Sequence, residues 1–398
     1  MKRRGVVFLS GARTPFGAYG GTLKNCTATE LATVAAKGAL ARSGISPEDI
    51  GHVVFGNVMQ TSDDAPYLAR HVGLNAKVPT ATPALTVNRL CASGFQAVIE
   101  GAYQILLGEA DFVLAGGTES MSRAPHAMYG ARWGFPLGGG DLVDTLWAAL
   151  TDSRCGCSMG MTAENLAQRY GVTRQECDLF AFQSQQRAKE AISSGRLAEE
   201  IVPVIVKGRK GKETAFQVDE HLRPDATPEK LASLQPVFKD DGVVTAGNAS
   251  GINDGAAALV MASSEAAKKR GLKAIGRLLS WGVSGVEPDI MGIGPVPASR
   301  TALERAELKL GDMEVVEVNE AFAAQYLAVE KEMGLDRSVV NVNGGAVALG
   351  HPLGATGARL TLTLLTELNL SQKRLGLATA CVGGGQGVAL VLGVPDGS

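Results

Sequence analysis

No uninterrupted apolar stretch in the 398 residues approaches the ~18 needed to cross a bilayer, so no membrane-spanning segment is expected. Cysteine is scarce: Cys26, Cys91, Cys155, Cys157, Cys177 and Cys381 are too few for a disulfide scaffold. Cys155 and Cys157 are spaced C-x-C, not C-x-x-C, and no histidine cluster completes a zinc site; no metal is expected. Neither sign of charge dominates. With 38 Lys and Arg against 40 Asp and Glu, the net charge of −2 gives no field that would draw in nucleic acid or an anionic membrane. G-x-G-x-x-G, G-x-x-x-x-G-K-[ST] and H-E-x-x-H are all missing, so dinucleotide, P-loop and metalloprotease readings have no motif behind them. The four apolar residues at 6–9 are too short for a secretory core and read as a first strand. PDGS at 395–398 matches no retention or peroxisomal address, and no Arg/Ser-rich transit segment is visible. The expected setting is a reducing cytoplasm.

Glycine is plentiful: 50 residues, about one in eight against a usual ~7%. Many fall in runs such as GGT and GGGQG, which suits sharp turns and close backbone approaches. Strand-like and helical runs alternate at both ends of the chain. GVVFLSG at 5–11 and HVVFGNV at 52–58 read as strands. Between them, Thr27-x-x-Glu30 has the form of a capping box, and Gly44 stands past the end of the helix it opens. Phe95 to Leu106 keeps helical spacing and leads into DFVLAGG at 111–117. The order then recurs: TVNRLCASG, helix, DFVLAGG in the first half answers NVNGGAVALGHPLG, helix, GLATACVGGG in the second. The fold class expected is α/β, duplicated, with a cleft where the halves meet. Residues 121–251 do not fit the repeat and read as an insertion, serving either stability and assembly or as a lid. The divisions are then 1–120, 121–251, 252–273 (returning to the first half) and 274–398. The insertion carries a basic segment, VKGRKGKE, at 206–213.

Four short pieces carry chemistry. Cys91, in NRLCASG, lies between an apolar strand and a helix start, where backbone N–H groups and the helix dipole favour a thiolate and a lowered pKa. A buried, inert thiol fits the same local context. His351, in GHPLGATG, precedes Pro352 at a helix start and could take a thiol proton, or be a structural histidine. His52, His71, His126 and His221 have no comparable surroundings. Cys381 ends an apolar run and is followed by GGGQG and a second run, which reads as a hairpin with the thiol at its mouth. The glycines could offer N–H groups to an oxyanion or merely serve the turn. Asn319, in VEVNEAF, is a strand-end donor or a turn former.

Taken together, NRLCASGFQ, NEAF, GHPLGATGAR and CVGGGQG resemble the four motifs of the thiolases, in the same order and nearly end to end. AGNASGINDGAAA at 246–258 resembles their coenzyme A loop, and RTPFGAYGG, VDEHLRP and MGIGPVPA are similar to the mitochondrial-type 3-ketoacyl-CoA thiolases. The resemblance implies a five-layer αβαβα fold of two βαβαβαββ halves with a loop domain inserted in the first. It implies Cys91 as acyl-accepting nucleophile, His351 as its base, and Cys381 as the acid/base toward the acetyl α-carbon. Asn319 with His351 would hold one thioester oxygen, and the N–H groups of Cys91 and Gly383 a second. Ser250, Ala246 and Ala249 would contact the pantetheine arm; Met159, Met291 and Phe322 would line the acyl pocket. No permanently bound cofactor is implied, coenzyme A and acyl-CoA thioesters being substrates, and a homodimer or homotetramer is. One departure stands out: Ser158-Met159-Gly160 replaces the His-Met-Gly usual in biosynthetic acetoacetyl-CoA thiolases, which leans the reading to the degradative branch.

The activity expected is thiolytic cleavage of 3-oxoacyl-CoA, and the reverse Claisen condensation, through an acyl-cysteine with ping-pong kinetics. The alternative is a biosynthetic acetyl-CoA acetyltransferase; a non-catalytic thiolase-like lipid binder is more remote, since both thiols and the imidazole are retained. A ketoacyl synthase would want a second catalytic histidine where Asn319 stands, and a cysteine hydrolase would leave Cys381 idle.

Overall fold

The computed structural model describes residues 4–208 and 211–395. Arg209 and Lys210 of the basic segment, and the last three residues of PDGS, lie outside the described residues.

The first half runs β1 (Val6–Arg13), α1 (Ala28–Ser43), β2 (His52–Gly56), α2 (Leu68–Asn75), β3 (Ala84–Val87), α3 (Ser93–Leu107) and β4 (Phe112–Ser120). Helices α4 (Met159–Tyr170) and α5 (Arg174–Ser193) belong to the long connection that follows, and β5 (Asn253–Ser263) closes the half. The second half repeats it: β6 (Gly276–Gly285), α6 (Pro295–Ala306), β7 (Val315–Val318), α7 (Ala323–Met333), α8 (Leu353–Leu370), β8 (Leu375–Val382) and β9 (Gln386–Gly393). Local signals explain the boundaries. Thr27 and Glu30 exchange hydrogen bonds as a capping box at the start of α1, and Gly44 ends it in the left-handed region at φ +74°.

The duplication is visible in the strand order. In the first half β3, β2 and β4 are parallel neighbours, and β4, β5 and β1 then pair antiparallel. In the second, β7 and β8 are parallel, and β8, β9 and β6 pair antiparallel. A lone parallel bridge, Val316 to Val340, stands where β3 stands in the first half. The two edges join through β1 and β6, Val6 opposite Leu278, so that one sheet runs through the molecule. Between β8 and β9 the chain turns in three glycines, 383–385; between the equivalent β4 and β5 it makes the excursion from 121 to 252.

Helices α3 and α8 lie between the two wings of the sheet. One core cluster unites Phe95, Val98 and Ile99 of α3 with Leu360 and Leu364 of α8, Val113 and Met261 of the first wing, and Ala378 and Leu390 of the second. Helices α1 and α2 cover the outer face of the first wing, and α6 and α7 that of the second. α4 and α5 share the latter cluster, so the inserted region is packed against the second half through Leu166 and Phe180. The central position explains why Leu90–Leu107 is apolar enough to match a membrane span by composition: most of α3 is packed between the two wings, with Tyr103 and Leu107 exposed near its C-terminal end. Where α3 crosses α8, a Cβ on Gly94 or Gly357 would overlap the facing backbone. Those glycines bring the N-termini of the two helices, with Cys91 and His351 just ahead of them, to the same end of the molecule.

Candidate active site

Cys91 sits in a single turn, Leu90–Ala92, between β3 and α3. Leu90 is held at φ +44°, a conformation costing about 1–3 kcal/mol for a non-glycine residue and tolerated where the surroundings enforce it. Asn88 Oδ1 accepts from the Leu90 N–H at 2.9 Å and Ser93 Oγ from the Arg89 N–H at 2.9 Å, and these bonds fix the turn. The N–H groups of Gly383 and of Cys91 itself reach the Cys91 sulfur, bringing the glycine turn of the second half onto the thiol of the first. The expected thiolate is not the resting form. Burial pushes the thiol up to about 11, outweighing the two N–H groups, and the Glu119 carboxyl adds to the rise.

Cys381 lies at the end of β8, and its hairpin with β9 is as expected from the two apolar runs. It is fully buried with Met159, Met291 and Ala321, and is close enough to Cys91 for the thiols to feel each other's charge. Burial first, and Cys91 second, raise its pKa.

His351 is buried just before α8. Its Nδ1 is 2.6 Å from Thr356 Oγ1, and that hydroxyl donates to the Pro352 carbonyl at 2.9 Å. With its one proton committed, the hydroxyl accepts from Nδ1–H, so the hydrogen-bond network leaves the other nitrogen, Nε2, unprotonated and an acceptor. Asn319 Nδ2, at the end of β7, donates to Nε2 at 3.3 Å, so Asn319 is a donor here. Asn319 Oδ1 is buried without a hydrogen-bond partner. Asn253 Oδ1 accepts from the His351 backbone N–H at 3.1 Å. Burial, and then the Arg359 guanidinium, push the imidazole down to about 3, so the neutral base is the resting form.

A cavity of about 170 Å³ opens onto Cys91 and His351. Met159, Met291 and Phe322 line it, as do Ala249 and Ser250; Trp147, Leu150 and Phe238 complete the apolar wall. Ala246 does not reach it: that residue is exposed, and the chain enters the cavity wall only three residues later, at Ala249. Asn319, Cys381 and Gly383 stand behind the lining.

Three residues of the site have no sequence signal that set them apart. Thr356 lies in the histidine motif but reads as an ordinary helical threonine. Asn253 reads as a turn residue. Glu119 is buried at the end of β4, where its carboxyl accepts from the N–H groups of Val58 (3.1 Å), Met59 (3.1 Å) and Gly354 (2.9 Å) and from Asn57 Nδ2 (3.0 Å). It thereby ties the first half to the start of α8, although burial still lifts its pKa to about 7.

Comparison with known proteins identifies the family and the fold. The family described as "Thiolase, N-terminal domain" matches residues 6–265 and "Thiolase, C-terminal domain" residues 272–394. The chain is 54% identical to the mitochondrial 3-ketoacyl-CoA thiolase of Homo sapiens, over 98% of each chain. It is 47% identical to the acetyl-CoA acetyltransferase of Syntrophomonas wolfei, over 98% of this chain and 99% of that one. The crystal structure of human mitochondrial 3-ketoacyl-CoA thiolase in complex with CoA superposes with a TM-score of 0.96 at 52% identity, over 98% of each chain. These findings also correct the cytoplasmic expectation. The relatives at 53–54% identity are named mitochondrial, which overturns it. Sparse cysteines indicate only a reducing compartment and could not distinguish the two. With two family domains spanning nearly the whole chain and the fold matched throughout, the protein belongs to the thiolase family.

Proposed function

We propose that this thiolase cleaves 3-oxoacyl-CoA with coenzyme A, giving acetyl-CoA and an acyl-CoA shortened by two carbons, and catalyses the reverse Claisen condensation. The observation that carries the reading is the neutral imidazole of His351, its Nε2 kept unprotonated by the Thr356 contact, lining one cavity together with Cys91. Cys91 Sγ attacks the 3-oxo carbon as His351 Nε2 accepts the thiol proton. The neutral thiol and imidazole make this transfer part of the attack and not a prior equilibrium. The oxyanion formed there is met by the N–H groups of Cys91 and Gly383, which already reach the sulfur. Collapse breaks the C2–C3 bond and places negative charge on the thioester oxygen of the departing acetyl-CoA enolate. Asn319 Nδ2 and the protonated His351 Nε2 serve as donors to that oxygen; one such donor typically contributes ~10²–10³ in rate. Cys381 delivers its proton to the enolate carbon. Coenzyme A, giving its thiol proton to Cys381, then attacks the acyl-Cys91 thioester, and His351 returns its proton to the departing Cys91 sulfur, restoring the starting state.

Coenzyme A enters as substrate along Ser250 and Ala249, which line the mouth of the cavity. The acyl chain lies against Met159, Met291 and Phe322, and this apolar wall, continued by Leu150 and Phe238, favours chains longer than acetoacetyl. A kcat/KM series over 3-oxoacyl lengths tests this. We expect rising values from four carbons to medium chains; a maximum at acetoacetyl-CoA would favour the acetyl-CoA acetyltransferase reading instead. The functional form is a homodimer or homotetramer. The uncovered edge strand β3, with Leu85 exposed, and the exposed Trp133 and Leu137 support this, and sedimentation velocity tests it.

A further inference from the structure

The only C-x-C pair in the chain is absent from the catalytic scheme, yet it lies on a hairpin whose base is part of the cavity wall. Residues 151–158 form a short hairpin in which Thr151 pairs with Ser158 and Asp152 with Cys157. Its base is part of the substrate site. Leu150 enters the hairpin, Ser158 and Met159 leave it, all three line the cavity, and the Met159 N–H donates to the Leu150 carbonyl at 2.9 Å. Its tip carries two free thiols, Cys155 and Cys157, both partly exposed. Gly156 between them adopts φ +70°, and the Gly156 N–H donates to the Asp152 carbonyl at 2.8 Å, which curls the tip back on itself. Cys157 Sγ lies 3.7 Å from the Cys155 carbonyl oxygen and Cys155 Sγ 3.9 Å from the Asp152 carbonyl oxygen, so both thiols are held within the same turn. With the two thiols on either side of one turned glycine, a local movement of the tip can bring them to disulfide geometry. The catalytic thiols differ on each point, being buried and committed to the reaction.

We propose that Cys155 and Cys157 form a redox modification site: a small-molecule disulfide oxidises them to an intra-hairpin disulfide that reshapes the acyl pocket through Ser158 and Met159. One cysteine thiolate attacks the small disulfide, forming a mixed disulfide and expelling one thiolate. The second cysteine thiolate then attacks the protein sulfur of that mixed disulfide and expels the other. The dithiol loses two electrons, the small disulfide is reduced to two thiols, and the two cysteine protons pass to the expelled thiolates. Closing the ring shortens the tip, and the strain falls on the strand that carries Ser158. Ser158 Oγ accepts from the Met161 N–H at 3.3 Å to cap α4, so the start of that helix moves with it.

The consequence for activity rests on the reading of the cavity as the acyl site; disulfide formation itself does not. The test separates them. Protein with Cys91 acetylated from acetyl-CoA is treated with oxidised glutathione, freed of oxidant and digested with trypsin. The peptide 155–169 contains both thiols and no other cysteine. It is expected to lose two hydrogens, and initial thiolysis rates on a medium-chain substrate are expected to fall about tenfold, in keeping with a sub-ångström to ångström displacement near the reacting carbon. Dithiothreitol should restore both, and Cys155→Ser and Cys157→Ser, active before treatment, should show neither change. A peptide that stays reduced, or stops at a glutathione adduct, overturns the proposed site. Formation of the disulfide with unchanged rates overturns its control of the pocket and leaves the catalytic reading intact. Equal loss of activity in the serine variants assigns the effect to other thiols and also overturns the proposal.

Discussion

At the scale of single residues the site depends on one proton being in the right place. Thr356 accepts from His351 Nδ1–H only because its own hydroxyl proton is committed to Pro352. Thr356→Val removes that acceptor and frees the ring to take the wrong tautomer, so kcat should fall by about 10²-fold. Thr356→Ser, which keeps the hydroxyl, should restore most of it, and steady-state kinetics on both variants checks this. The depressed His351 pKa has its own consequence. A histidine at its ordinary value of 6.5 would lose its base form below that pH, whereas one near 3 keeps it. The acidic limb of kcat/KM, which reports free-enzyme groups, should therefore show no inflection from His351 between about pH 5 and 8. The sequence made Cys91, His351 and Cys381 legible because each sits in a distinctive glycine-rich motif. It could not reveal Thr356, Asn253 or Glu119, whose roles arise from contacts across the fold. The lowered pKa expected for Cys91 failed for a similar reason: the helix start is a local feature, but burial, which dominates, is a tertiary one.

At the scale of elements the decisive contact is the crossing of α3 and α8. The capping box of α1, the hairpin of β8 and β9, and the helix after Pro352 could all be read from local patterns. The crossing could not, because glycine spacing on two helices far apart in sequence says nothing about which faces meet. Nor could the pairing of β1 with β6, which joins the ends of two halves. A Cβ at Gly357 would meet the Phe95 backbone nitrogen, so Gly357→Ala must push the helices apart. We expect a loss of about 1–3 kcal/mol in unfolding free energy, measured by urea denaturation. Reactivity of Cys91 toward iodoacetamide should change with it, since the same helices carry both catalytic ends.

At the scale of the whole molecule, buried charge stitches the inserted region to both halves. Arg13 pairs with Glu200 at 3.0 Å and Asp219 at 2.8 Å, and Arg196 pairs with Glu200 at 2.7 Å and Glu367 at 2.9 Å. Beside them Glu317 and Arg359 approach to 3.5 Å in full burial, and the Glu317 oxygens make no hydrogen bond. Burial lifts the Glu317 carboxyl from 4.5 to about 8 despite Arg359. A carboxyl whose folded pKa is raised contributes stability fully below its unfolded value, and that contribution is lost as pH rises through the folded value. The stability of the wild type relative to Glu317→Gln should therefore decline from about pH 5 to about pH 9, followed by denaturant titration at each pH. The proposed function rests at this scale on the meeting of Cys91 from the first half with His351 and Cys381 from the second. The most direct test is intact mass after mixing each protein with acetyl-CoA, paired with acetoacetyl-CoA thiolysis. Cys381→Ala should gain one acetyl group on Cys91 yet fail to cleave acetoacetyl-CoA, and Cys91→Ala should gain none. An acetyl group retained by Cys91→Ala, or normal thiolysis by Cys381→Ala, would contradict the division of labour between the two thiols.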